Sequence, residues 1–281
     1  NNGVINIVKN RHPVVESILD FKDFVSNDVY LDSKNNQLLI ITGPNMAGKS
    51  VYLRQVAITL IMAQIGCFVP AEIAEISLVD NIFVRSGASD IITAGLSTFM
   101  VEMVETASIL NNATDNSLVI MDEIGRGTST YDGISIAWSI AEYLVKHGQS
   151  RPKTLFATHY HELTKLEQTY PNSIKNFHFP ATEYNGEPVF LHTLKVGGAS
   201  SSFGIQVAKI AGLPKQVYQN AQYILDELQK QKSEVINYKS STKLQTSDLQ
   251  NNLIQQIKSI DTNKITPLQA LIKLQEIKDL V

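Results

Sequence analysis

Three short, nearly continuous apolar runs punctuate this chain: Leu38-Leu39-Ile40-Ile41, Ser117-Leu118-Val119-Ile120-Met121 and Thr154-Leu155-Phe156-Ala157. Each stops abruptly at polar or ionisable residues, as strands buried on both faces do, so all three read as central strands. Before the first, residues 4–41 mix short alternating apolar segments with turn residues at Asn35-Asn36. After it comes a glycine-bearing loop, then a helix expected over about residues 48–65. That helix is apolar over most of its surface, which predicts packing between other elements. Phe99, Met103, Ala107 and Leu110 form one helical stripe, and Ile134, Ala137, Ala141 and Leu144 another. Strands alternating with helices give an α/β fold with a parallel-rich sheet.

The pattern changes after Gly204. A short helix over residues 206–211 stops at Gly212, and Pro214 opens a second with Val217, Ala221, Ile224 and Leu228 in register. That is a helix-turn-helix. A polar stretch rich in Ser, Thr and Lys follows and reads as a linker. Two short helices close the chain, the last from Thr266-Pro267 with Ala270, Leu274, Ile277 and Val281 on one face. The expected divisions are 1–200, 201–231, 232–247 and 248–281.

Composition sharpens this picture in three ways. With 281 residues, 43% hydrophobic, the chain can bury a large core without disulfides. Its one cysteine, Cys67, lies in the apolar stretch Ile65-Gly66-Cys67-Phe68-Val69, which predicts a buried, reduced thiol and a cytoplasmic setting. No apolar run is long enough for a bilayer, so no membrane association is expected. The sequence begins Asn1-Asn2-Gly3 rather than with methionine, which suggests a piece of a longer protein. A net charge of −3 argues against a nucleic-acid binder held by bulk electrostatics.

The chemistry concentrates where the apolar runs end. Gly43-Pro44-Asn45-Met46-Ala47-Gly48-Lys49-Ser50 matches the phosphate-binding pattern G-x-x-x-x-G-K-[ST], between an apolar strand and a helix where the pattern belongs. Glycines let backbone N–H groups close around phosphate oxygens. In this pattern Lys49 reaches the β- and γ-phosphates and Ser50 ligates Mg²⁺. The second run delivers Asp122 and Glu123 to its C-terminal end. Asp122 would orient Mg²⁺ through its water shell, and Glu123 would accept the proton of the water attacking the γ-phosphorus. Without the phosphate loop, the same pair would read as a solvated strand end. The third run ends at Ala157-Thr158-His159, where His159 either senses the γ-phosphate or is a hydrogen-bonded strand-end histidine. Gly125-Arg126-Gly127-Thr128-Ser129-Thr130 opens the next helix, with Ser129 and Asp132 at capping-box spacing, and this loop either caps the helix or faces a partner subunit.

Four segments together resemble the MutS family: Thr42 to Ser50, Ser97-Thr98-Phe99-Met100-Val101-Glu102-Met103, Met121-Asp122-Glu123-Ile124-Gly125-Arg126-Gly127-Thr128-Ser129 and Phe156-Ala157-Thr158-His159-Tyr160. Arg11-His12-Pro13-Val14 and Ser202-Phe203-Gly204-Ile205-Gln206-Val207-Ala208 extend the match. The resemblance implies a P-loop ATPase of the ABC type that binds ATP or ADP with Mg²⁺, ending in a helix-turn-helix and a small helical tail. It implies a homodimer with composite sites, or a tetramer through the tail, acting on mismatched DNA through domains absent from this chain and with partners of the MutL type. It places Asn45 and Val51 among the nucleotide contacts, Phe24 and His192 beside adenine, and Ser97 at the γ-phosphate of the partner's site. Locally, Phe24 also reads as a core aromatic, His192 as a strand residue and Ser97 as a helix N-cap. Leu96 stands where the family usually has arginine, and Val51 where threonine usually follows the loop serine. A transporter motor would carry a Leu-Ser-Gly-Gly-Gln signature, which is missing; a non-hydrolytic dimerisation module would not need the intact Lys49, Ser50, Asp122 and Glu123 set.

Overall fold

The three apolar runs become the middle of a sheet. A computed structural model of the chain describes residues 3–19, 24–87, 97–147, 150–184, 187–198 and 203–228. In order these form β1 (Ile5–Asn10), α1 (Pro13–Ile18), β2 (Asn27–Leu31), β3 (Leu38–Thr42), α2 (Lys49–Gln64), β4 (Ile73–Ile76) and β5 (Ile82–Ser86). Then come α3 (Thr98–Asn112), β6 (Leu118–Asp122), α4 (Thr130–Glu142), β7 (Lys153–Ala157), α5 (Leu166–Thr169) and β8 (Ile174–His178). A β9–β10 hairpin (Ala181–Tyr184, Glu187–Phe190), β11 (Lys195–Val196) and α6 (Gly204–Ile210) complete a first compact unit, Asn1–Ile210. Of the second unit, Ala211–Val281, the described residues hold a helix at 215–228, α7.

The main sheet runs β11-β8-β3-β7-β6-β5. Neighbours are parallel except β11, which is antiparallel to β8. Side chains alternate across it with the strand period of two. Leu39, Ile41, Leu118, Ile120, Leu155 and Ala157 enter one core with α2 residues Tyr52, Leu53, Val56 and Leu60. Leu38, Ile40, Val119, Met121 and Phe156 enter the opposite core with Ala137, Ile140 and Ala141 of α4. Both faces are covered, so these strands had no polar positions to alternate with. A smaller antiparallel sheet, β2-β1-β4, adds Ile5, Ile7, Val29 and Leu31 to the first core. Each large apolar side chain that leaves water here contributes roughly 1.5–3 kcal/mol.

Three expectations need correction. Cys67 is exposed rather than buried, because α2 ends at Gln64 and the chain beyond it projects outward, leaving Phe68 fully exposed as well. The packing expected for α2 holds from Lys49 to Leu60 but not in its last turn, where Ile61 is exposed. In α3 the buried line is Glu102, Thr106 and Ile109, one position off the apolar stripe, and Ala107 is exposed. The displacement has a polar cause: Glu102 faces inward to meet buried Arg85 of β5.

α6 and α7 occupy nearly the stretches the sequence assigns to two helices, with Gly212 at φ +84° between them. Val217, Ile224 and Leu228 of α7 are exposed. Leu96, the linker 232–247 and the tail 248–281 lie outside the described residues. Among the described residues no helix is long and apolar enough to cross a membrane.

Candidate functional site

The loop 43–48 lies between the C-terminal end of β3 and the N-terminus of α2, so its backbone N–H groups and the helix dipole point to the same place. Gly43 has φ +137°, and a Cβ there would lie 2.8 Å from the carbonyl oxygen of Phe179, so no side chain fits. Met46 adopts φ +69°, an unusual conformation for a residue with a side chain. Asn45 and Met46 project outward, while Pro44 and Ala47 are buried. Such a cradle suits a phosphate group.

Lys49 is only 4% exposed, and its Nζ donates to the carbonyls of Gly43 (2.8 Å) and Pro44 (3.1 Å). It lies 3.8 Å from Glu123 Oε1. Burial lowers its pKa from the usual lysine value, against the opposing pull of Glu123 and Asp122. Burial raises the pKa of Asp122, with the Glu123 charge acting in the same direction and a hydrogen bond from Ser50 against it. Asp122 Oδ1 is buried without a hydrogen-bond partner among the described residues. A hydroxyl beside an unsatisfied carboxylate oxygen is a hard oxygen donor set, and it fits Mg²⁺.

Because β7 lies between β3 and β6, three strand ends meet, with Ala157 opposite Ile41 on one side and Asp122 on the other. Glu123 follows directly, at φ +59°, its N–H donating to Ala157 O at 2.9 Å. Its carboxylate pairs with Arg126, which sequence reasoning did not single out although it lies three residues away. His159 stacks on Tyr160 with ring centroids 3.9 Å apart, and burial aided by Arg126 and Lys49 lowers its pKa from 6.5 to about 4. It is therefore neutral at pH 7. His159, His161, Arg126 and Asn45 line a cavity of about 200 Å³ together with the apolar side chains of Pro44, Phe203 and Val207.

On the other side of the loop lies a largely apolar cavity of about 170 Å³. Phe24, His192, Val51, Met46 and Gly48 all line it, so residues far apart in the chain converge here. Tyr52 and Phe179 complete the wall in an edge-on ring contact at 5.9 Å. His192 has φ +52°, and its Nδ1 is 3.1 Å from Ala47 O, which ties it to the phosphate loop. Asn27, absent from the sequence expectations, holds that segment: its amide donates to His192 O (2.9 Å) and accepts from Leu194 N–H (2.6 Å). Ser97 is separate from this cluster; it caps α3, accepting from Met100 N–H at 3.1 Å, and is exposed.

Comparison with known proteins agrees with this geometry. The model of MutS domain V matches residues 39–229. Over 295 residues the chain is 49% identical to the DNA mismatch repair protein MutS of Bacteroides thetaiotaomicron, covering 100% of this chain and 34% of that protein. It is 50% identical to the MutS of Clostridium kluyveri (97% and 33% covered) and of Dehalococcoides mccartyi (98% and 32%). The chain thus spans about a third of the length of these relatives.

Proposed function

The chain belongs to the MutS domain V family, and on that premise we propose that it is the ATP-binding, ATP-hydrolysing dimerisation part of a DNA mismatch-repair protein. The observation that carries the reading is the meeting of Lys49, at the start of α2, with Asp122 and Glu123 at the end of β6 beside the phosphate loop. The loop amides and Lys49 hold the β- and γ-phosphates. Adenine enters the apolar cavity between Phe24 and His192. Ser50 and Asp122 would hold Mg²⁺, which would supply positive charge to offset that of the phosphates. Glu123 takes the proton from the attacking water. Neutral His159, lining a cavity with Arg126 and Asn45, contacts the γ-phosphate without adding a charge.

The exposed N-terminus of α3, with Ser97 at its cap, faces the γ-phosphate bound by a second copy, so each working site needs two chains. The apolar stripe of α7 supports dimerisation, and the tail 248–281 supports a higher assembly. Mismatch reading belongs to the parts of the relatives outside this chain, consistent with the net charge of −3. Partners of the MutL type follow the nucleotide state.

Mixing two inactive variants tests the composite site. Lys49→Ala removes the phosphate ligand and Ser97→Ala the group acting in trans, so a heterodimer has one site with both defects and one with neither. ATP turnover should reappear on mixing. If the mixture dimerises yet stays as inactive as its components, Ser97 acts only within its own chain.

A further inference from the structure

The Glu123 carboxylate stands on a short turn that returns on itself, and one residue at its end, Gly125, is gripped from three sides. Gly125 N–H donates to Glu102 Oε1 at 2.6 Å, and Gly125 C=O accepts the Tyr160 hydroxyl at 2.8 Å. Gly125 has φ +92°, and a Cβ there would lie 2.7 Å from the carbonyl oxygen of Gly133, so α4 closes the third side. Between Glu123 and this grip stands Ile124, 1% exposed in the core. The backbone carrying Glu123 therefore has no slack.

Neither gripping residue is free to drift. Glu102 is 6% exposed, and its other oxygen lies 3.7 Å from Nη2 of Arg85, itself 4% exposed. Arg85 is anchored by strand pairing opposite Met121 and by Glu105 at 3.1 Å. Tyr160 is 4% exposed, and its N–H donates to Thr158 Oγ1 at 3.0 Å. A charged acceptor on a backbone N–H, away from water, is a strong and directional hydrogen bond. A carboxylate buried in a helix where the apolar stripe has no place for it needs such a use.

We propose that Glu102 and Tyr160 are positioning residues for catalysis: by fixing the two peptide units that flank the Gly125 Cα they set where the Glu123 carboxylate stands beside Lys49 of the phosphate loop. The inference rests on the reading of Glu123 as the base. Neither residue lines the two cavities, so substituting them moves the base and leaves nucleotide contacts in place. Misplacement of a reacting group by about 1 Å is enough to lower a rate on the order of a hundredfold.

The test compares kcat for ATP with the affinity for fluorescent ADP in the whole chain, for wild type, Glu102→Ala, Glu102→Gln, Tyr160→Phe and Glu123→Gln. Glu102→Ala and Tyr160→Phe should each lower kcat by about tenfold or more, with ADP affinity within about twofold of wild type. Glu102→Gln keeps an oxygen that accepts the Gly125 N–H, and should recover most of kcat. If the thermal transition shows that Glu102→Ala does not fold, Tyr160→Phe and Glu102→Gln decide alone. Wild-type kcat in Tyr160→Phe, or parallel losses of kcat and ADP affinity, would overturn the proposal. Full turnover in Glu123→Gln would instead remove the base itself and with it the reading beneath.

Discussion

The phosphate loop divides two cavities of similar size that differ in the charge beside them. On one side Phe24, Val51, Tyr52 and Phe179 offer aromatic and aliphatic surface with no charged group. On the other, the polar side, Arg126, His159 and His161 join Phe203 and Val207 around a cavity, with Lys49 and Glu123 close to Arg126. An apolar wall interacts equally with a ligand at every stage of a reaction, so it yields affinity. Fixed charges and donors respond to charge as it redistributes, so they yield rate. On the proposed function, the two tasks lie on opposite sides of six residues, 43–48.

The sharpest way to break that division is Glu123→Gln. Removing the base on the polar side should lower kcat by roughly a hundredfold or more and leave ADP affinity unchanged. Steady-state turnover together with an equilibrium ADP titration measures both. A loss of affinity matching the loss of rate would mean that the polar side also binds uniformly, and the division would fail.

A smaller effect is expected from the other side. Phe24→Ala removes one wall of the apolar cavity, and a base stacked on an aromatic ring gains about 1–3 kcal/mol. ATP affinity should fall about tenfold while saturating turnover stays within about twofold. Inorganic tripolyphosphate, which has no base, should bind wild type and variant alike. Weaker tripolyphosphate binding in Phe24→Ala would mean that the ring supports the loop rather than the base.

The same contrast decides what was legible in the sequence. Lys49, Asp122 and Glu123 are announced by short-range patterns, because a strand end followed by a loop or a turn fixes their neighbours in space. Phe24 and His192 carry no such pattern; Asn27 ties the residue 192–194 segment to β2, a contact spanning 165 positions, and His192 Nδ1 meets Ala47 O of the phosphate loop. The central strands were readable because both faces are buried and apolar. Glu102 was hidden for the opposite reason, since a stripe drawn through apolar residues passes beside a buried carboxylate. Cys67 misled because an apolar run past a helix end says nothing of whether anything covers it.

The smallest expected effect concerns pH, and it rests on one residue of the polar side, His159. His159 on the polar side has its pKa lowered from 6.5 to about 4, first by burial and then by Arg126 and Lys49, with Glu162 opposing. The unfolded chain takes up a proton near pH 6.5 that the folded chain refuses until about pH 4. The unfolded state therefore gains relative stability as pH falls through that window, and below it the difference is constant. Allowing for solvent screening, the loss by pH 5 is on the order of 1 kcal/mol, a fall of a few degrees in Tm. In His159→Gln this part of the slope should vanish, whereas Phe24→Ala should run parallel to wild type, having changed no titrating group. Turnover should likewise show no inflection near pH 6.5 that depends on His159, because the imidazole stays neutral from pH 6 upward. Thermal scans of the three proteins between pH 7.5 and 5 measure the difference. If wild type and His159→Gln lose stability in parallel, His159 titrates in the folded chain as it does in water, and burial does not hold it neutral.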